Sequence, residues 1–246
     1  MTEPALLANI IAHRGASGHA PENTLAAIAL AHKVGARCVE LDASISSDNI
    51  AFLHHDDTLD RCTDASGYLC AMSANELDKV KSSAGMAAYK NEPLPRLSAA
   101  VSLLSELQMG LNLEIKPTPG LDAPTAIAVC DVIREQWPMD LPLVLSSFSK
   151  AALAVARDAL PGAARALIVG AIPDDWQHQT QLLQCRNLHM AAPLLKKQQA
   201  VEITEADLGL YCFTVNEPDE AKQLLAMGVN GVFTDYPEKM IAALES

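Results

Sequence analysis

Eight times along this chain a short apolar run, too short to be anything but a strand, gives way to a longer stretch with apolar residues at helical spacing. The runs lie at 9–13, 38–42, 111–115, 143–147, 165–169, 187–191, 210–215 and 231–234. The predicted helices lie at 24–34, 98–109, 124–136, 149–159, 174–184, 201–207, 217–227 and 237–244. A strand followed by a crossover helix returns the chain to a parallel neighbour. Eight such units in 246 residues favour a closed α/β barrel, a (β/α)8 TIM barrel, over an open doubly wound sheet. Half of the residues are apolar but only 4% are aromatic, so the core must be aliphatic, as helices packed on parallel strands require. A single barrel domain over 1–246 is the expectation.

One further run, 51–55, follows 38–42 too closely for a crossover, so the two are predicted to form a hairpin. With Asp48-Asn49 as a two-residue turn, 45 opposes 52 and 42 opposes 55, which sets His55 beside Asp42 and turns His54 away. Residues 57–92 are polar and lack a barrel strand, with a short helix near 73–81 that opens on a Ser73/Glu76 capping box. They read as a small insertion lying over the barrel mouth.

A net charge of −12 argues against nucleic acid or an anionic membrane surface as partner. No run approaches the ~18 apolar residues of a membrane span, and a strand beginning near residue 9 leaves no room for a signal peptide. The expectation is a cytoplasmic protein with no membrane insertion. Its six scattered cysteines lack metal-type spacing and read as buried thiols. Oligomeric state has no signature in the sequence.

The chemistry concentrates at strand ends. The first run delivers His13 and Arg14 into the loop HRGASGHAPENT. Alternation puts Val39 and Leu41 on one face of the second strand and Glu40 and Asp42 on the other, and it repeats with Glu114 and Lys116 on the strand 111–115. In a barrel the C-terminal strand ends share one mouth, so His13, Glu40, Asp42 and Glu114 converge there beneath Arg14 and Lys116. Carboxylates about 4 Å apart repel by roughly 4 kcal/mol per pair at an effective dielectric of 20. Two basic groups leave one of three acids unbalanced, and an all-oxygen donor set points to a hard divalent metal, Mg2+ or Ca2+.

Taken together, His13-Arg14-Gly15, Pro21-Glu22-Asn23-Thr24, Val39-Glu40-Leu41-Asp42, His55-Asp56 and Leu113-Glu114-Ile115-Lys116 resemble the glycerophosphodiester phosphodiesterase family, close to its bacterial cytosolic members. The resemblance runs on through Leu145-Ser146-Ser147-Phe148, Phe213-Thr214-Val215-Asn216 and Gly231-Val232-Phe233-Thr234-Asp235. Cys62 stands where the family commonly has threonine. The resemblance implies a barrel with an insertion after the His-Asp motif, a metal held by Glu40, Asp42 and Glu114, and acid/base catalysis by His13 and His55. It also implies phosphate binding by Arg14 and Lys116.

The implied reaction is metal-dependent hydrolysis of glycerophosphodiesters to an alcohol and sn-glycerol 3-phosphate. Which histidine is the acid stays open at this stage, as does attack by water or by the substrate's own 2-hydroxyl. The rival readings are a cyclising phosphodiesterase or lyase on the same barrel, and a non-catalytic barrel that binds metal or a phosphometabolite. Phe148 and Phe213, near strand ends, either pack the rim or line the leaving-group pocket. Asp56 and Asp235 read as orienting groups or helix caps, and His19, His32, His54, His178 and His189 as non-catalytic.

Overall fold

A computed structural model describes residues 7–244; residues 1–6 and 245–246, the ends of the domain expected over 1–246, lie outside the described residues. The strands are β1 (Ile10–His13), β2 (Cys38–Ile45), β3 (Ala51–Leu53), β4 (Gly110–Ile115), β5 (Leu143–Ser147), β6 (Ala164–Val169), β7 (Asn187–Ala191), β8 (Gly209–Phe213) and β9 (Gly231–Thr234). The helices are α1 (Leu25–Lys33), α2 (Ala74–Leu77), α3 (Leu97–Glu106), α4 (Asp122–Gln136), α5 (Lys150–Ala159), α6 (Trp176–Leu182), α7 (Lys197–Glu205), α8 (Pro218–Ala226) and α9 (Pro237–Leu244). β1 pairs in parallel with both β2 and β9, closing a ring of eight parallel strands, with β3 antiparallel on β2 outside it. This is the (β/α)8 barrel that the strand count predicts.

Parallel strands covered on both sides have no solvent face, and every residue of β2 and β4 is buried. The outward residues Val39, Leu41, Leu111 and Leu113 join Ile28 of α1, Leu104 of α3 and Val129 of α4 in one aliphatic cluster. Truncating such a leucine, as in Leu113→Ala, costs about 2–5 kcal/mol. The inward residues Ile11, Cys38, Val144, Ala166, Tyr211 and Phe233 fill the barrel interior. All six cysteines are free thiols, five of them buried.

The loop after β1 is fixed by local chemistry. Gly15 has φ +82°, and a Cβ there would fall 2.6 Å from that of Ala27, so no other residue fits. Thr24 then caps α1, its hydroxyl accepting from the Ala27 N–H at 3.2 Å, a contact worth about 1 kcal/mol.

Two expectations need correction. Ile45 faces Ala51 and Ala43 faces Leu53, one residue off the predicted hairpin register, so residue 54, not 55, follows on opposite Asp42. The turn spans three residues rather than two: the Ser46 N–H donates to Ile50 O at 3.0 Å, and Asn49 takes the left-handed conformation at φ +61°. α7 also starts at Lys197 rather than 201, because the Gln199 side chain accepts from the Lys196 N–H at 3.1 Å and begins the helix within a polar run.

Residues 57–92 form their own small core, in which Leu59, Leu69, Ala74, Leu77 and Val80 pack on Phe52 of β3 and on Leu94. Arg61 reaches back from this segment to Glu22, and Glu92 accepts a hydrogen bond from the Ala26 N–H at the start of α1.

Candidate active site

Strand ends bring the predicted residues together around a pocket of about 160 Å³. His13, Arg14, Glu40, His55, Glu114, Lys116, Phe148 and Phe213 all line it. Asp42 sits behind them, 1% exposed, clamped by Asn23: the amide Nδ2 donates to Asp42 Oδ2 at 2.8 Å, and its Oδ1 accepts from the Asp42 N–H at 3.0 Å.

Oxygens of Glu40, Asp42 and Glu114, all buried, lie within 4.8 Å of one another. Arg14 and Lys116 are their only close cations among the described residues. Arg14 Nε stands 3.3 Å from Asp42 without the alignment of a hydrogen bond, and Lys116 Nζ lies 3.3 Å from Glu114 and 3.9 Å from Asp42. Burial opposes the charge on Asp42, but Arg14 and Lys116 outweigh it and hold this carboxyl below its ordinary range. The other two acids go the opposite way. Burial and repulsion from Asp42 and Glu114 push Glu40 well up, and burial with the Asp42 charge pushes Glu114 up to about 7 despite Lys116. Protein cations thus stabilise one ionised acid of the three, and the carboxylate set fits a hard divalent ion that would stabilise the rest.

Each histidine is tethered through one nitrogen. His13 Nδ1 lies 2.7 Å from Asp235 Oδ1, and His55 Nδ1 lies 2.6 Å from Asp56 Oδ1. A carboxylate only accepts, so Nδ1 carries the proton and Nε2 is the remaining nitrogen in both rings. His13 Nε2 stands 3.9 Å from Glu40 Oε2. Burial lowers the pKa of His55, partly countered by Asp42 and Asp56. Burial disfavours the Asp235 charge too, but hydrogen bonds from His13, Asn216 and Ser17 hold that carboxyl down at about 2.

His55 reaches the mouth from the loop beyond β3, not through hairpin pairing, since the last bond across the hairpin runs from the His54 N–H to Asp42 O at 3.0 Å. His54 is buried, with Nε2 at 2.9 Å from Thr58 O. His19 pairs with Glu238 outside the pocket, and His32 and His178 are exposed on helices. His189 is buried and does line the pocket.

Sequence reasoning missed the supports. Arg61 bonds Asp56 through Nε and Nη2 at 2.6 and 2.9 Å, and Glu22 through Nη1 and Nη2 at 2.7 and 2.9 Å. Glu22 in turn accepts from Arg14 Nη1 at 2.7 Å. One guanidinium therefore holds both the partner of His55 and the partner of Arg14. On the other side, the Asn216 amide donates to Asp235 Oδ2 at 2.8 Å and accepts from the Asp235 N–H at 2.9 Å. The signal for Arg61 was its place five residues after Asp56, and that for Asn216 its place in the motif Phe213-Thr214-Val215-Asn216, which did not tell its partner.

The geometry matches known proteins over nearly its whole length. The YhdW protein of Bacillus subtilis (strain 168) is 30% identical over 241 residues, spanning 94% of this chain and 96% of its own. A glycerophosphodiester phosphodiesterase of Caldanaerobacter subterraneus subsp. tengcongensis is 25% identical over 238 residues, with 94% and 96% covered. The solved structure of an Oleispira antarctica phosphodiesterase in complex with the product sn-glycerol-3-phosphate superposes with a TM-score of 0.95 at 40% identity, covering 98% of each chain. Fold and likeness define a barrel enzyme that cleaves phosphodiesters. The chain belongs to the glycerophosphoryl diester phosphodiesterase family, which matches it over residues 13–239.

Proposed function

We propose that this enzyme hydrolyses water-soluble glycerophosphodiesters to an alcohol and sn-glycerol 3-phosphate, with His13 and His55 as its acid/base pair. The observation that carries the reading is that both rings line one pocket with the acids while each holds its Nδ1 on a carboxylate, at 2.7 and 2.6 Å. That leaves Nε2 of each for proton transfer, worth about 10²–10⁴ in rate. The lowered pKa of His55 suits the neutral ring that takes a proton from the nucleophile. His13, on the other side of the acids, is then the ring that protonates the departing alkoxide.

Arg14 and Lys116 offset the phosphodiester charge, with Arg14 fixed by Glu22. Glu40, Asp42 and Glu114 would hold the divalent metal, Mg2+ or Ca2+, which when bound polarises a phosphoryl oxygen. Phe148 and Phe213, edge to face at 6.1 Å, wall the alcohol side. Phe148 and His55 also border a neighbouring cavity of about 540 Å³, roomy enough for alcohols of differing size.

The same reading makes residues 57–92 an insertion over the mouth of a single barrel domain, and the enzyme cytoplasmic. Its net charge of −12 repels anionic bilayers, Leu59, Leu69, Leu77 and Val80 of the segment turn onto Phe52, and no described helix is long and apolar enough to cross a membrane. The test supplies metal and glycerophosphocholine and follows glycerol 3-phosphate, with a chelated control. Turnover lost on chelation and restored by metal is the expected result. Saturable binding without turnover, or a cyclic phosphate as final product, would overturn the reading.

A further inference from the structure

Beneath the acids the pocket wall is largely apolar, with Ile168 and Phe233, yet two polar side chains reach it from strands three places apart in the ring. Asn112 on β4 and His189 on β7 are each 1% exposed. Nδ2 of Asn112 donates to Ser146 Oγ at 3.0 Å, and Oδ1 has no partner among the described residues. Turning the amide over would only exchange the unpaired atom, since one hydroxyl cannot serve both ends. His189 is wedged against Tyr211 and Phe233, ring centroids 5.4 and 5.0 Å away, and its Nε2 is likewise unpaired.

Burial without a partner destabilises a polar group, and native chains rarely tolerate it without a reason. Neighbouring inward positions carry Val144, Ala166 and Ile11, so an apolar residue suits this interior. The two polar groups are therefore there for something that enters the pocket. Their character limits what that is. Burial pushes the His189 imidazole down to about 3, so it is uncharged at neutral pH, and an amide is neutral at any pH. Neutral groups offering donors and acceptors suit hydroxyls, whereas the phosphate has Arg14 and Lys116. The departing alcohol has the wider cavity beside Phe148. What remains for the narrow pocket is the glycerol end of the substrate.

We propose that Asn112 and His189 form the subsite that recognises the free hydroxyls of the substrate's glycerol moiety. The assignment rests on the phosphodiesterase reading above and adds to it the residues that tell glycerol phosphate from a plain alkyl phosphate. A group built to hydrogen-bond a hydroxyl rejects an analogue that lacks it, because its own buried polar atoms are then left unpaired.

The experiment measures binding of glycerol 3-phosphate and of propyl phosphate, which lacks both hydroxyls, to the metal-loaded enzyme. The proteins are wild type, Asn112→Leu and His189→Phe, the last keeping a ring against Tyr211 and Phe233. Wild type should prefer glycerol 3-phosphate by tenfold or more, and each variant should lose most of that preference with propyl phosphate affinity unchanged. Equal loss for both ligands would reduce the residues to structural parts and overturn the proposal. So would an unaltered preference, the result expected if the two atoms merely share an ordered water. Should a variant fail to fold, ring 15N signals of His189 in the wild type decide: they should move with glycerol 3-phosphate and not with propyl phosphate, and equal movement overturns the assignment. A wild type that binds neither ligand and turns over no glycerophosphodiester would sink the functional reading itself, a different failure from losing only the preference.

Discussion

The two sides of the barrel mouth are built on different principles. The charged side chains on the pocket, Arg14, Glu40, Glu114 and Lys116, and the two histidines held by carboxylates, His13 and His55, come from β1, β2, β4 or the loops after β1, β3 and β4. The side from β5 to β9 contributes Phe148, Ile168, His189, Phe213, Thr214 and Phe233. The first side is held by hydrogen bonds from Asn23, Glu22, Arg61, Asp56, Asp235 and Asn216, the second mostly by ring packing such as Phe148 on Phe213. Charge in a buried site has to be positioned and compensated, and each compensating group needs a partner in turn. Hydrocarbon needs only shape. Substitutions of the charged and acid/base groups on the first side should therefore fail in rate, and those on the second side in substrate preference.

The sharpest break in that comparison comes from the histidines. His13→Ala and His55→Ala should each lower kcat by about 10²–10⁴-fold with melting temperature nearly unchanged. His54→Ala, whose ring faces Thr58 O, should be far milder in rate. Steady-state kinetics on glycerophosphocholine beside thermal melts checks this; a larger loss in His54→Ala would reverse the assignment of the two adjacent rings.

Next come the acids, where activity and stability should part company. Glu40→Gln should bind divalent metal more weakly and lose activity. The same change should raise the melting temperature of the metal-free protein, because a glutamine is neutral without taking up the proton that burial, Asp42 and Glu114 force on Glu40 when it folds. Metal titration by calorimetry and melts in chelator measure the two effects. A fall in the chelated melting temperature would mean that the acids are balanced without metal.

A smaller effect should follow from Arg61→Gln. Arg61 is half exposed and touches no pocket atom, yet it bonds both Glu22 and Asp56. Loss of the staple should cut kcat about tenfold, the order expected when a positioning partner is removed, with Arg61→Lys recovering only part because an ammonium cannot bridge two carboxylates bidentately. Full activity in Arg61→Gln would show that Asp56 and Glu22 hold their places alone.

What could be read in the sequence divides along the same physical lines. Alternation is local and strict, so five residues sufficed to send Glu40 and Asp42 inward and Val39 and Leu41 outward. Strand ends likewise told where His13 and Glu114 would meet. The hairpin register was out by one because a single left-handed residue, Asn49, lengthened the turn, and nothing in the alternation reports turn length. Pairs such as His13 with Asp235, 222 residues apart, are set by barrel closure and leave no mark on local pattern. Asn112 was given no role and His189 was read as non-catalytic, because a polar residue three or two places below a strand end resembles ordinary core until its missing partner is seen.

The smallest effect concerns stability alone and isolates the apolar side. The His189 pKa is lowered from 6.5 to about 3, with burial as the sole cause. The rings packed on it are Tyr211 and Phe233, and the Tyr211 hydroxyl, taken up by the Leu7 N–H at 2.8 Å, stays protonated up to about 12. Neither of these two rings titrates in the acid range. Below 6.5 the unfolded chain binds a proton at this position and the folded chain does not. The contribution is thus fully present above 6.5 and is lost as pH falls from there toward 3. Asp235 on the charged side behaves as a depressed carboxyl: its contribution is intact above 3.8 and fades only as pH falls toward about 2. Between about pH 6.5 and 4 the His189 contribution is therefore separable from that of Asp235. In metal-loaded enzyme, His189→Phe should flatten the decline of melting temperature across that window. Parallel wild-type and His189→Phe curves would mean that the ring is already protonated in the fold, with a partner on the pocket side that stabilises its charge.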